Sequence, residues 1–149
     1  MSILQINKVI PIEGLFCATE QDTLRAGLDI GSALGNPITM SLTGPLGAGK
    51  TVFVRGLAEG LGCEPTQVSS PTFALVHEYP KGRWPLVHMD LYRLQSASEL
   101  ANLGLDDYLA EPIVAAIEWG ERFEQELPSD TIQLHFTIEG EGRRITIKP

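Results

Sequence analysis

The spacing of apolar residues changes along this chain, and each change of period marks an element. Leu24, Leu28 and Leu34 recur at helical spacing and predict a helix over residues 20–34, with these leucines on its apolar face. Thr19 stands before it as an N-cap with Asp22 in the first turn, and Gly35, Asn36 and Pro37 end it. Residues 15–18 predict a short strand, and residues 1–13 are expected to pack loosely. The run 37–43 reads as a buried strand, and Phe53, Leu57 and Leu61 give the inward face of a helix over 50–61, capped by Gly62.

Further on, residues 73–79 alternate, with Phe73, Leu75 and His77 on one face; Pro80 to Arg83 form a turn, and 85–90 is a second strand ending in an acid. These two strands predict a hairpin. Ser96 and Glu99 make a capping box for a short helix that runs through Leu103 and stops at Gly104, and 105–109 adds another helical turn. Residues 113–118 form a continuous apolar run, typical of a central strand, again ending in an acid. A short polar helix over 120–127 precedes a last hairpin, 131–139 with 143–148, around Gly140, Glu141 and Gly142.

Candidate chemistry sits between the strand 37–43 and the helix that follows it. Gly44, Pro45, Leu46, Gly47, Ala48, Gly49, Lys50 and Thr51 fit G-x-x-x-x-G-K-[ST]. Glycines let successive backbone N–H groups curl around a phosphate, Lys50 can reach terminal phosphates, and the Thr51 hydroxyl can ligate Mg²⁺. The positive end of the helix faces the same point. The expected architecture is therefore α/β and P-loop NTPase-like. It is a single domain over residues 1–149 with a mixed, mostly parallel sheet flanked by helices and a C-terminal β-hairpin, in which the strands 37–43 and 113–118 run parallel.

Composition narrows the reading. Hydrophobic residues make up 43% of the 149, and no apolar run approaches the roughly 18 residues of a membrane span, so a soluble cytoplasmic protein is expected. The formal net charge of −8, with no cluster of Lys and Arg beyond Arg143 and Arg144, opposes direct nucleic-acid binding. Cys17 and Cys63 make no metal-ligand pattern and are expected to be reduced, buried thiols.

Two acids end apolar strands where α/β sheets place ligands. Asp90 stands in the place of an acid that holds Mg²⁺, or else caps the following turn. Glu118 can ligate metal or polarise an attacking water; the plainer alternative is a strand-end acid facing solvent. Ser69, Ser70 and Thr72 read equally as a nucleotide-sensing loop and as a turn with self-bonded hydroxyls. Arg143 can reach phosphate or adenine from the last strand, the commoner alternative being an exposed strand arginine, and Trp119 is a partner contact or core. His77, His88 and His135 have no ligand spacing and read as hydrogen-bonded strand histidines.

Four motifs in order resemble the bacterial TsaE family, P-loop ATPases of tRNA threonylcarbamoyladenosine biosynthesis. They are the loop 44–51, then Ser70, Pro71, Thr72 and Phe73, then Met89, Asp90, Leu91, Tyr92, Arg93 and Leu94, then Ile117, Glu118 and Trp119. The resemblance implies that Gly44, Leu46, Gly47, Ala48, Gly49, Lys50 and Thr51 bind ATP or ADP, and that Thr51 and Glu118 bind Mg²⁺. It implies a role for Lys50, Asp90 and Glu118 in hydrolysis, and a switch-like role for Ser70, Pro71 and Thr72. Glu20 and Arg143 would border the nucleotide, and Trp119 would line the pocket. It implies two protein partners, of the TsaB and TsaD type, that carry the threonylcarbamoyl transfer. The chain ends soon after the last predicted strand, so any contact that family members make through a C-terminal helix is expected to be missing. The alternatives are a small-molecule or nucleoside kinase, disfavoured by the lack of an Arg-rich lid, and a binding module without hydrolysis. Arg93 and Arg122 are the candidates for an internal arginine finger.

Overall fold

Strands buried on both faces form the middle of a sheet, because helices cover each side of them. In the computed structural model, residues 6–64 and 76–148 are described. Their elements, in order, are β1 (Leu15–Cys17), α1 (Glu20–Ala33), β2 (Thr39–Thr43), α2 (Lys50–Leu61), β3 (Val76–Tyr79) and β4 (Leu86–Asp90). Then come α3 (Ala97–Leu103), α4 (Leu105–Leu109), β5 (Val114–Glu118), a 3₁₀ helix (Gly120–Glu126), β6 (Ile132–Glu139) and β7 (Gly142–Lys148).

The seven strands lie in the order β1-β7-β6-β2-β5-β4-β3. β2 runs parallel to β5 and to β6, and β4 parallel to β5. β3, β7 and β1 join antiparallel, to β4, β6 and β7 respectively, so only β3 and β7 oppose the common direction. The expected mixed, mostly parallel sheet with a terminal hairpin is what forms.

Alternation decides which face each side chain meets. Val114 and Ala116 of β5, with Leu86 of β4, join the core under α1 and α2. Ala115 and Ile117, with Val87 and Met89, join a second core with Leu100, Leu105 and Phe123 under α3, α4 and the 3₁₀ helix. By the same period, His88 and Glu118 fall on the α2 side of the sheet.

The α1–α2 interface departs from the leucine stripe read in the sequence. The buried face of α1 is Thr23, Ala26, Gly27, Ile30 and Gly31, while Leu24 and Leu28 flank it half-buried. The two helix backbones touch. A Cβ on Gly27 would stand 2.1 Å from the Phe53 carbonyl oxygen, and one on Gly56 2.0 Å from that of Leu24. No leucine fits a seam that close. Arg83 ties the helix ends, donating to the carbonyls of Gly31, Leu34 and Gly60.

Three local expectations need correction. Within the lead 1–13, Ile6 and Ile10 are fully buried in the α1–α2 core, with Val9 packed against it, because burial of these apolar side chains draws this part of the lead onto the helices. The segment 120–127 is a 3₁₀ helix kinked at Phe123, whose ring must turn into the second core. At α3, the Ser96 hydroxyl accepts from the Glu99 N–H, but the Glu99 carboxylate accepts from Gln95 N–H, one residue before the cap. The Thr19–Asp22 capping box is reciprocal. Phe73 and Leu75 lie outside the described residues. Among the described residues no helix is long and apolar enough to cross a membrane.

Candidate functional site

Strand β2 delivers the chain to Gly44 and α2 carries it away from Gly49, so residues 44–49 form a loop at the carboxyl end of the parallel strands. Gly44 takes φ 139°, and a Cβ there would press within 2.4 Å of the Phe136 carbonyl oxygen. Gly49 takes φ 98° as the N-cap of α2 and offers no side chain, so the first-turn amides have no side-chain acceptor. Above Gly47 nothing lies within 4 Å of an added Cβ. Leu46 is 98% exposed; Ala48 is buried and anchors the loop on the core.

Lys50 opens α2 and folds back: its Nζ donates to the Gly44 carbonyl at 2.6 Å and lies 3.6 Å from Glu118 Oε1. β5 lies directly beside β2, with Glu118 opposite Leu42, which brings that carboxylate to the loop. Glu118 is buried, not solvent-facing, and its Oε2 stands 2.7 Å from Nε2 of the wholly buried His88. Burial alone would push the Glu118 carboxyl up. The hydrogen bond and charge of His88, with the Lys50 cation, outweigh that and hold it below the usual carboxylate range.

Asp90 is the register partner of Glu118 at the end of β4. Its Oδ1 accepts from the Tyr92 N–H at 2.9 Å, so it also caps the turn, and the two roles read from sequence are compatible. Trp119 takes φ 66°, a left-handed conformation rare for a bulky residue. Its ring meets Tyr92 at 4.9 Å between centroids, and Lys50 Nζ lies 6.0 Å from its centre. It therefore stands beside Lys50 at the mouth of the loop. Arg122 donates to the Tyr92 and Leu94 carbonyls, each at 2.7 Å, which braces the Asp90 turn. Ser69, Ser70, Pro71 and Thr72 lie outside the described residues.

On the other side of the loop a cleft of ≈ 270 Å³ is lined by Cys17, Glu20, Thr23, Gly47, Gly49 and Arg143, among others. The α1 cap and the β7 start thus bring Glu20 and Arg143 together beside the loop. Arg143 Nε donates to the Gly47 carbonyl at 2.9 Å and its Nη1 to Gly142 and Glu141.

The donor set suits Mg²⁺. That ion takes oxygen ligands and usually keeps only one or two from protein when phosphates complete its shell. Thr51, the residue after Lys50, offers a hydroxyl, and Glu118, 3.6 Å from the Lys50 Nζ, offers a carboxylate.

The family model "Threonylcarbamoyl adenosine biosynthesis protein TsaE" matches residues 17–146. The chain belongs to this family. The Treponema pallidum protein named "tRNA threonylcarbamoyladenosine biosynthesis protein TsaE" is 42% identical, over 83% of this chain and 90% of its own length. The Nostoc protein of the same name is 41% identical, over 97% of this chain and 86% of its own length. Among solved structures, Bacillus subtilis YdiB superposes with a TM-score of 0.71 at 32% identity, covering 90% of this chain and 82% of that one. TsaE proteins take part in forming threonylcarbamoyladenosine in tRNA, and that pathway role extends to this chain through its membership.

Within this TsaE fold, sequence reading named Lys50, Glu118 and Trp119 and underweighted His88. The signal was present: His88 lies two residues before Asp90 in a strand, hence on the same face. What sequence could not supply was the register that faces it toward Glu118.

Proposed function

We propose that this chain is a Mg²⁺-dependent ATPase that binds and hydrolyses ATP to drive or reset the protein assembly forming threonylcarbamoyladenosine in tRNA. One observation carries the reading: a buried, ionised carboxylate, Glu118, lies 3.6 Å from Lys50 at the mouth of a glycine loop. The amides of residues 46–51 would hold the phosphates. Lys50 would exchange the Gly44 carbonyl for a phosphate oxygen, and Thr51 and Glu118 would hold Mg²⁺. The ion supplies neutralising charge on phosphate oxygens. Asp90 would support hydrolysis beside Glu118. Glu20 and Arg143 would border the nucleoside, and Ser70, Pro71 and Thr72 would act as a switch segment.

Turnover is expected to be slow alone, because P-loop sites are often completed by a partner. Partners of the TsaB and TsaD type would supply the missing part, in the cytoplasm. ATP titration of the parent and of Lys50→Ala tests the core of this: binding should fall at least about 100-fold in the variant without loss of thermal stability. Equal affinity would overturn it. Addition of the partners should raise phosphate release; an unchanged rate would remove the coupling.

A further inference from the structure

We propose that His88 is a positioning residue that dictates which oxygen Glu118 offers to the metal. The inference rests on the reading above that Glu118 ligates Mg²⁺. His88 is 0% exposed, yet its ring makes one side-chain hydrogen bond, Nε2 to Glu118 Oε2 at 2.7 Å; among the described residues Nδ1 has no partner. A buried polar atom without a partner is destabilising, and an apolar side chain at this point of β4 would avoid that. The bond to Glu118 is what the position obtains in return.

Its geometric effect follows from the other end of the carboxylate. Oε1 faces Lys50 Nζ at 3.6 Å while Oε2 is tied to the histidine. A carboxylate free to turn about its last torsion would set both oxygens on the lysine, closing the pair upon itself. Held by His88 at Oε2, it leaves Oε1 as the oxygen free to take a further partner and keeps it 3.6 Å from Lys50 Nζ. Hydrogen-bond partners of a ligating carboxylate act in this way on metal affinity, typically by 10–100-fold.

The test is Mn²⁺ affinity, read by electron paramagnetic resonance with protein in excess over ADP, alongside thermal unfolding. His88→Leu and His88→Asn should each weaken Mn²⁺ at least about tenfold. His88→Gln, whose amide nitrogen reaches about as far as Nε2, should stay within about threefold of the parent on the same scale. If His88→Leu does not fold, the Asn–Gln contrast decides. Parent-like affinity in His88→Asn, or equal losses in Asn and Gln, overturns the proposal, since a purely structural histidine would lower the melting temperature and leave the metal alone. Glu118→Gln is run in parallel. If it leaves Mn²⁺ affinity unchanged, the ligand reading has failed; if it weakens Mn²⁺ while His88→Asn does not, only the positioning role has.

Discussion

The two walls of the glycine loop are built on opposite principles. On the β4–β5 wall, polar groups are buried and each holds the next: His88 on Glu118, Glu118 beside Lys50, Lys50 on Gly44. Strand register fixes these distances, and low polarity around them strengthens every charge. On the α1–β7 wall, Glu20 is exposed and Arg143 is half-buried, bound only to backbone carbonyls. Under the function proposed above, fixed-charge chemistry would fall to the first wall and recognition of the rest of the ligand to the second.

The sharpest break of that assignment is Glu118→Ala. Phosphate release with Mg²⁺ should fall by about 100-fold or more, while ADP still binds. Glu118→Gln adds a metal-removal test. Without metal, Glu118 both repels a polyphosphate and holds Lys50, so neutralising it should tighten ATP several-fold in EDTA, read by calorimetry. Weaker metal-free binding in this variant would mean that Glu118 helps hold the phosphates by some other route.

The open wall depends on where α1 stands, and α1 is set by backbone contact with α2. Gly27→Val places branched carbon against a carbonyl 2.1 Å from the Cβ position, so neighbouring turns must separate. A loss of about 3 kcal/mol is expected from overpacking, measured by urea unfolding. A stable variant would show that the seam yields. Arg143→Ala is milder: ATP affinity should weaken about fivefold to tenfold, and Mn²⁺ affinity of the ADP complex should not move, because one charge-assisted contact is lost on the open side only. A matching loss of metal affinity would erase the distinction between the walls.

The buried wall was the more legible of the two in sequence, because its signals are local. An apolar run ending in Glu118 and a glycine loop ending in Lys50 and Thr51 each carry their own meaning. Their meeting depended on β5 lying next to β2, a long-range pairing that no local pattern encodes, although parallel strands flanking a loop made it the natural expectation. The α1–α2 seam was misread because leucines at helical spacing suggest a face, whereas Gly27, Gly31, Gly56 and Gly60 mark where backbones touch. The buried Ile6 and Ile10 were missed because Ile6, Val9 and Ile10, although at i, i+3, i+4 spacing, make only one turn, too short a stretch to mark an element. The segment with Ser70, Pro71 and Thr72 keeps both readings it had as sequence.

The smallest expected effect falls on the two cysteines and bears on the open wall alone. Burial pushes both thiols up, with the Thr23 hydroxyl partly offsetting this at Cys17. Raised folded values mean that the unfolded chain loses its thiol protons first. This contribution to stability is therefore complete below about pH 8.5 and declines as pH rises above it. The urea midpoint should drop slightly from pH 8 to pH 10, and less so in Cys17→Ala/Cys63→Ala. The two thiols should then part company when ligand is added. Cys17 lines the cleft between Glu20 and Arg143, whereas Cys63 sits with Tyr79 and Lys81 at the far end of α2. ADP should slow modification of Cys17 by a disulfide reagent at pH 8 and leave Cys63 as it was. Equal protection of both would indicate global stabilisation rather than occupancy of the cleft, and protection of neither would move the nucleoside away from the α1–β7 wall.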